Sequence, residues 1–221
     1  TAYQPRLLPG FWTVDAFKPA DTQAYDWQPD TTRCWTYDRG IDGAARSTGL
    51  LQATRGARLL YTPVEKKYGD MSVTLTVDPC KTAGQGFGSA TGQYMDVYIK
   101  FNPKTLSGYA LRIIRTPEND KAVDFLLMEY KDGIATPITS PVSSICYRTG
   151  CTIQLKVEGN QFTAHAETTT PLPVPHRKGL TTTVSLQADV SPNTFGGTGI
   201  QHTGSAGASA TMLRRLSINW R

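Results

Sequence analysis

The chain has 221 residues, 39% of them hydrophobic and 19% charged, which excludes a disordered polypeptide and leaves room for one large β domain. The net charge of +5 is spread over pairs such as Arg55 with Arg58, Lys66 with Lys67 and Arg214 with Arg215, so no nucleic-acid partner is expected. No apolar run approaches the roughly 18 residues of a membrane span, and neither end shows a targeting or lipidation motif, which leaves export open.

The chain opens on the aromatic segment Gly10-Phe11-Trp12. Trp27, Trp35 and Tyr37 stand among polar residues, where they suit a sugar platform as well as a core. No stretch holds an apolar i, i+3, i+4, i+7 pattern for three turns; period-two patterns recur instead. Leu59–Thr62 reads as a short strand, and Met71–Val77 alternates apolar residues with Ser72, Thr74 and Thr76. Lys81–Gly92 is a glycine-rich loop. Tyr94–Phe101 sets Met95, Val97, Ile99 and Phe101 on one face against Tyr94, Asp96, Tyr98 and Lys100 on the other. Asn102-Pro103-Lys104 turns the chain into Leu106–Arg115, which pairs with 94–101 as a hairpin.

Val123–Tyr130 is nearly all apolar, the pattern of a strand buried on both sides, and Lys131-Asp132-Gly133 is a hairpin turn by composition. Thr152–Glu158, the turn Gly159-Asn160 and Phe162–Glu167 follow, then a strand over Leu180–Ala188. Asp189–Ala210 reads as one long loop rich in glycine, serine and threonine, and Leu213–Trp220 as the closing strand. About ten strands, with 20 glycines and 14 prolines in the turns, predict an all-β fold. The expected architecture is a two-sheet antiparallel β-sandwich, one domain over residues 1–221.

Four cysteines are present. Cys146 and Cys151 bracket the polar tetrapeptide Tyr147-Arg148-Thr149-Gly150, sized for a loop between antiparallel strands, so a disulfide across its base is expected. Cys34 and Cys80 would then pair over a long loop; free buried thiols are the alternative. No tight Cys-x-x-Cys pair offers a metal site.

The order of elements resembles the concanavalin A-like lectin/glucanase group of jelly rolls. Gly10-Phe11-Trp12 leads to Leu59-Leu60-Tyr61, then Tyr68-Gly69-Asp70-Met71-Ser72-Val73, then the two central strands. Leu155–Thr163 looks like the group's hairpin with glycine, and Leu216–Trp220 like its last strand. The keto-disaccharide hydrolase branch and laminin-G-like bacterial members share this resemblance. It implies glycan binding or cleavage on a concave sheet, and allows a structural calcium with no other cofactor. The hydrolytic members carry Glu-x-Asp-x-x-Glu or a close variant on one strand; this chain does not, and Asp96 is the only carboxylate on its strand. No Asp-x-Asp-x-Asp-Gly calcium run exists either; Asp38, Asp42 and Asp70 are isolated loop acids.

Tyr94, Asp96 and Tyr98 share one face of their strand, and tyrosine offers a sugar a flat ring and a hydroxyl. Arg112 on the neighbouring strand would either pair with Asp96 or bind a ligand carboxylate. These four, with Trp35 and His202, are the candidate binding residues; packing under another loop is the plainer alternative. Asp96 and Glu129 are candidate catalytic carboxylates, although alternation sets Glu129 with Val123, Phe125 and Leu127. His165 is an outward-facing histidine of ordinary solvated type.

The reading is a carbohydrate-binding domain of an exported glycan-utilisation protein, in the periplasm, at the cell surface or secreted. An oligo- or polysaccharide would lie over Tyr94, Asp96, Tyr98 and Arg112, between walls made by Lys81–Gly92 and Asp189–Ala210. The alternatives are a glycoside hydrolase or polysaccharide lyase using the same face, and a non-catalytic accessory domain that contacts other domains of a longer chain.

Overall fold

The structure is a computed structural model, and it describes residues 11–14, 28–29, 36–38, 50–52, 57–61, 69–79, 92–117, 122–147, 150–168, 181–203 and 211–220. Trp27, Trp35, Cys34, Cys80, Asp42, the 81–91 loop and the side chains of Trp12, His202 and Trp220 lie outside what is described.

Sixteen strands run through these residues. They are β1 (Phe11–Val14), β2 (Gln28–Pro29), β3 (Thr36–Asp38), β4 (Leu50–Gln52), β5 (Ala57–Tyr61), β6 (Met71–Pro79), β7 (Tyr94–Asn102) and β8 (Ser107–Arg115). Then come β9 (Val123–Lys131), β10 (Ile134–Pro137), β11 (Val142–Ser144), β12 (Cys151–Glu158), β13 (Gln161–Thr168), β14 (Thr183–Asp189), β15 (Gly197–His202) and β16 (Thr211–Trp220). Sheet I has the order β14-β13-β12-β6-β16-β4-β3 with β1 also on β16. Sheet II has the order β10-β9-β8-β7-β15-β5-β2 with β11 also on β9. Neighbouring strands pair antiparallel throughout, so the all-β antiparallel sandwich is the observed fold. No helix among the described residues is long and apolar enough to cross a membrane.

The core lies between the sheets, where period-two sequence meets period-two geometry. Met71, Val73, Leu75 and Val77 of β6, Ile153, Leu155 and Val157 of β12 and Phe162 of β13 face Met95, Val97 and Ile99 of β7, Leu111 and Ile113 of β8 and Phe125 and Leu127 of β9. Each of these side chains, fully buried, contributes about 1.5–3 kcal/mol relative to exposure.

The turns follow their glycines. Asp132-Gly133 closes β9–β10 with φ of 48° and 81°, both left-handed, as a tight two-residue hairpin requires. Gly159-Asn160 closes β12–β13, opposite Asp70, whose Oδ1 accepts from Gly159 N–H at 2.9 Å.

Four expectations are corrected. The presumed loop 189–210 contains β15, which lies inside sheet II between β7 and β5. Its glycines hid it: Gly197 and Gly199, opposite Phe101 and Tyr98, leave the segment without apolar alternation. Second, about ten strands were expected; β1–β4, β10 and β11 are two to four residues long, too short to show a period.

Third, Phe101 is not on the face of Met95, Val97 and Ile99. The β7–β8 register shifts between Ile99 and Asn102, and Lys100 takes φ 49°; this bulge rotates Phe101 onto the outer face beside Tyr98. Gly108 makes the bulge possible, because a Cβ there would sit 2.3 Å from the Lys100 carbonyl oxygen. Fourth, the Cys146–Cys151 segment is no hairpin. It leaves β11 in sheet II and enters β12 in sheet I, and its two cysteines are free thiols buried in the core rather than a disulfide.

Candidate functional site

The outer face of sheet II carries the sequence-predicted residues in rows set by register. The first row is Tyr94–Ile114–Asp124–Ser143, and the second is Gln201–Asp96–Arg112–Leu126. The third is Gly199–Tyr98–Ala110–Met128, with Phe101 and Tyr130 beyond it. Exposure falls along this series. Tyr94, Ile114, Asp124, Arg112, Leu126 and Gln201 are partly exposed, whereas Tyr98, Ala110, Met128, Phe101 and Tyr130 form a second buried apolar cluster.

Between the open and buried ends lies a polar network. Arg112 donates from Nε to Asp96 Oδ1 and from Nη2 to Asp96 Oδ2, both at 2.8 Å. Arg112 Nη2 also reaches the Tyr130 hydroxyl at 3.0 Å, and that hydroxyl donates to Asp96 Oδ2. The guanidinium lies over the Tyr94 ring, 3.8 Å from its centroid, in cation–π contact. Asp96 is 0% exposed and the Arg112 side chain 15%. Burial works against the Arg112 charge, but the hydrogen bonds and charge of Asp96 outweigh it, so Arg112 holds its proton more tightly than an ordinary arginine. Burial first, and then the Asp96 charge, push the Tyr130 phenol well above its usual value.

The backbone at the open end is pinned. Thr203 Oγ1 accepts from Tyr94 N–H at 2.8 Å, and Thr203 N–H donates to the Tyr94 carbonyl at 2.9 Å. Tyr94 and Arg112 are therefore held as a flat pair: an aromatic ring and a guanidinium plane, oriented from beneath by Asp96 and Tyr130. Nε and Nη2 are used within the network; Nη1 donates to none of the described residues.

Of the predicted binding residues, the structure brings Tyr94, Asp96 and Arg112 together, with Asp96 directly opposite Arg112. It sets Tyr98 apart. Tyr98 is 0% exposed, stacks on Phe101 at 4.3 Å between centroids and donates its hydroxyl to Gln201 Oε1 at 3.0 Å, so its ring packs rather than floors an open cleft. Asp96 is likewise no exposed floor residue, since internal donors occupy both its oxygens. Its proposed acid–base partner Glu129 lies on the opposite face of the same sheet, level with Tyr109 and beside Lys131 at 3.4 Å. Two residues on opposite sheet faces share no substrate, so the Asp96–Glu129 catalytic pair is corrected.

Trp35 lies outside the described residues, and of His202 only the backbone is described, at the end of β15 opposite Met95. His165 is on the outer face of sheet I, with Nδ1 3.1 Å from Ser185 Oγ. Tyr130 and Gln201 complete the cluster and escaped the sequence reading. For Tyr130 the signal was present, since a strand apolar on both faces has a second buried side for its outward residues. For Gln201 there was none, because a glycine-rich segment hid its strand.

The calcium that the resemblance allows finds no fitting donor set among the described residues, where no three His, Cys, Asp or Glu side chains converge. Asp70 is engaged by Gly159 N–H.

No protein-family model matches the sequence, and no curated protein does. Solved structures match in fold. Arcelin-5, a lectin-like defense protein from Phaseolus vulgaris, aligns over 96% of this chain and 98% of its own with a TM-score of 0.54 and 12% identity. The exoplasmic/lumenal domain of VIP36 in its Ca2+/Man3GlcNAc-bound form aligns over 93% of this chain and 87% of its own (TM-score 0.56, 9% identity). The legume lectin-like domain from Entamoeba histolytica aligns over 93% and 96% (TM-score 0.54, 10% identity). The chain thus has the lectin-like jelly-roll sandwich fold.

Proposed function

We propose that this chain is a carbohydrate-binding domain, one sandwich over residues 1–221, belonging to an exported glycan-utilisation protein. It holds an oligo- or polysaccharide on the outer face of sheet II, at the Tyr94–Arg112 end. The observation that carries this reading is the partly exposed Tyr94 held against the Arg112 guanidinium, which Asp96 and Tyr130 fix from beneath. Sugars are recognised by such a combination: an apolar ring face for C–H groups beside oriented donors for hydroxyls. The fold is shared with the saccharide-bound VIP36 domain, which supports the ligand class without locating the site.

A glycan-array screen, followed by calorimetry on each hit and mass spectrometry of the incubated glycan, tests it. Tyr94→Ala should weaken binding about tenfold, the equivalent of ~1.4 kcal/mol, with an unchanged melting temperature. Gln154→Ala, on the outer face of sheet I, should leave affinity unaltered. Binding to no glycan, or full affinity in Tyr94→Ala, refutes the site; shortened product refutes the non-catalytic reading.

A further inference from the structure

The outer face of sheet I carries a group of side chains that glycan binding on sheet II does not use. Ser185 of β14 stands directly opposite His165 of β13, and Glu167 follows two residues along the same face of β13. Ser185 Oγ is 3.1 Å from His165 Nδ1. On the other side of the ring, Nε2 is 3.8 Å from Glu167 Oε2. A hydroxyl, an imidazole and a carboxylate in that order are the parts of an activated nucleophile.

The register brings them together. Thr168 N–H donates to the Thr182 carbonyl at 3.1 Å, and Val190 N–H to the Asn160 carbonyl at 2.8 Å. The β13–β14 register runs without a shift between these two bonded pairs, so His165–Ser185 is a pair of the alternate, non-hydrogen-bonded kind. In such a pair the side chains stand closest, with Cα atoms about 4.5 Å apart. Ser185 N–H then points away from β13, toward the side of β14 where no described strand pairs. Glu167 favours the tautomer with its proton on Nε2, which leaves the Nδ1 lone pair to accept from the Ser185 hydroxyl. On β12, Gln154 opposite the ring is neutral, and Lys156 is ion-paired with Glu158 at 2.8 Å.

Ser185 and His165 open onto a groove of about 460 Å³, lined also by Gln154, Lys156, Thr163 and Gln187. Amides, a hydroxyl and an ammonium suit a ligand rich in hydroxyls. The apolar side chains of Ala164 and Leu186 belong to the core, so the groove has no apolar slot for a long acyl chain.

We propose that Ser185 and His165 are the catalytic residues of an esterase site, with Glu167 positioning the imidazole, and that its substrate is a short acyl ester of a polyhydroxylated alcohol. Ser185 Oγ attacks the ester carbonyl carbon as His165 Nδ1 takes its proton, and Ser185 N–H donates to the developing oxyanion. The carbon–oxygen bond to the alcohol breaks, and Nδ1 gives the proton to the departing oxygen. Water then attacks the acyl-serine and passes a proton to Nδ1. The acyl–Oγ bond breaks, Oγ regains that proton and the carboxylic acid leaves. Deacylation leaves the length of a glycan unchanged, so this activity stands or falls separately from binding at Tyr94 and Arg112.

The full chain is assayed with para-nitrophenyl acetate and with methyl tetra-O-acetylglucoside, by released nitrophenolate and released acetate. Both rates should exceed that of buffer by about a hundredfold or more. Ser185→Ala and His165→Gln should each abolish the excess with melting temperatures unchanged, because both side chains lie on the exposed face. Acid-quenched protein should carry one acetyl group on the peptide that contains Ser185. Glu167→Gln should lower kcat and leave KM unchanged. Para-nitrophenyl octanoate should be cleaved more slowly than the acetate. Release at the buffer rate, full activity in Ser185→Ala, or acetyl on a different residue overturns the site. An unchanged kcat in Glu167→Gln overturns the positioning role, and equal rates for octanoate and acetate overturn the short-acyl assignment.

Discussion

Replacing Asp96 with alanine tests whether the Asp96–Arg112–Tyr130 network is a buried structural unit. Asp96 is 0% exposed and accepts two hydrogen bonds from Arg112 at 2.8 Å and one from Tyr130. Its loss leaves a guanidinium that is only 15% exposed without its counter-charge, and a buried phenol without its acceptor. Removing one partner of a buried pair costs about 3–5 kcal/mol. Arg112 reaches water at one edge, which places its share near the lower end, and the orphaned Tyr130 hydroxyl adds about 1 kcal/mol. The expected loss is about 4 kcal/mol, or roughly 8–16 °C in melting temperature for a domain of this size. Urea unfolding followed by tryptophan fluorescence measures it. The double variant Asp96→Ala/Arg112→Met removes both charges, so its loss should fall short of the sum of the single losses by about 1–3 kcal/mol. A loss below about 0.5 kcal/mol in Asp96→Ala, or strict additivity in the double variant, would refute the reasoning.

Gly108→Ala should be far more damaging than Gly133→Ala. At Gly108 the new Cβ meets the Lys100 carbonyl oxygen at 2.3 Å and Phe101 Cα at 2.7 Å, backbone atoms that cannot step aside, whereas at Gly133 the nearest atom is Leu106 Cδ1 at 3.7 Å. Losses above about 3 kcal/mol against about 1 kcal/mol are expected from urea midpoints, and equal losses would disprove the bulge account. Alkaline stability should depend on Tyr130. Its folded pKa is raised, so above about pH 10 the folded state binds more protons than the unfolded chain; the stabilisation is full below that pH and drains as pH rises through it. Tyr130→Phe lacks this slope, so the stability gap between parent and variant should shrink between pH 10 and 11, and a constant gap contradicts the assignment. Lys100, whose pKa burial lowers, and Tyr109, whose pKa burial and Glu129 raise, titrate in both proteins and cancel from the comparison.

Much of the sandwich was legible because burial on one face and exposure on the other writes itself as alternation. β6, β12 and β13 show it along their length, and each was read to within about two residues. Their turns were legible for a separate reason, since Asp132-Gly133 and Gly159-Asn160 place glycine where φ is positive. β15 failed both tests. Gly-Thr-Gly-Ile-Gln-His has no apolar alternation, and its strand character comes from the two neighbours that sandwich it. The Cys146–Cys151 spacing fitted a hairpin, but loop length does not say whether the next strand returns to the same sheet.

The reading of Tyr94–Phe101 shows where period-two logic stops. It separates two faces but cannot tell water from a second buried layer. β9 carried the missing information: Leu126, Met128 and Tyr130 line the same outer face as Asp96, and a strand apolar on both sides has no need of that second set if its outer face is wet. In the structure the Tyr98, Phe101 and Tyr130 end is packed, with ring centroids 4.3–5.7 Å apart. On the outer face of β7, β8 and β9, the rows of Tyr94 and Arg112 reach the surface. Adjacent rows on one face lie about 7 Å apart along the strands, and four strands span about 14 Å across them. The residues that looked like the floor of a cleft therefore act from below. Asp96 and Tyr130 set the angle of Arg112, and Arg112 with Tyr94 forms the surface at which we propose that a glycan binds.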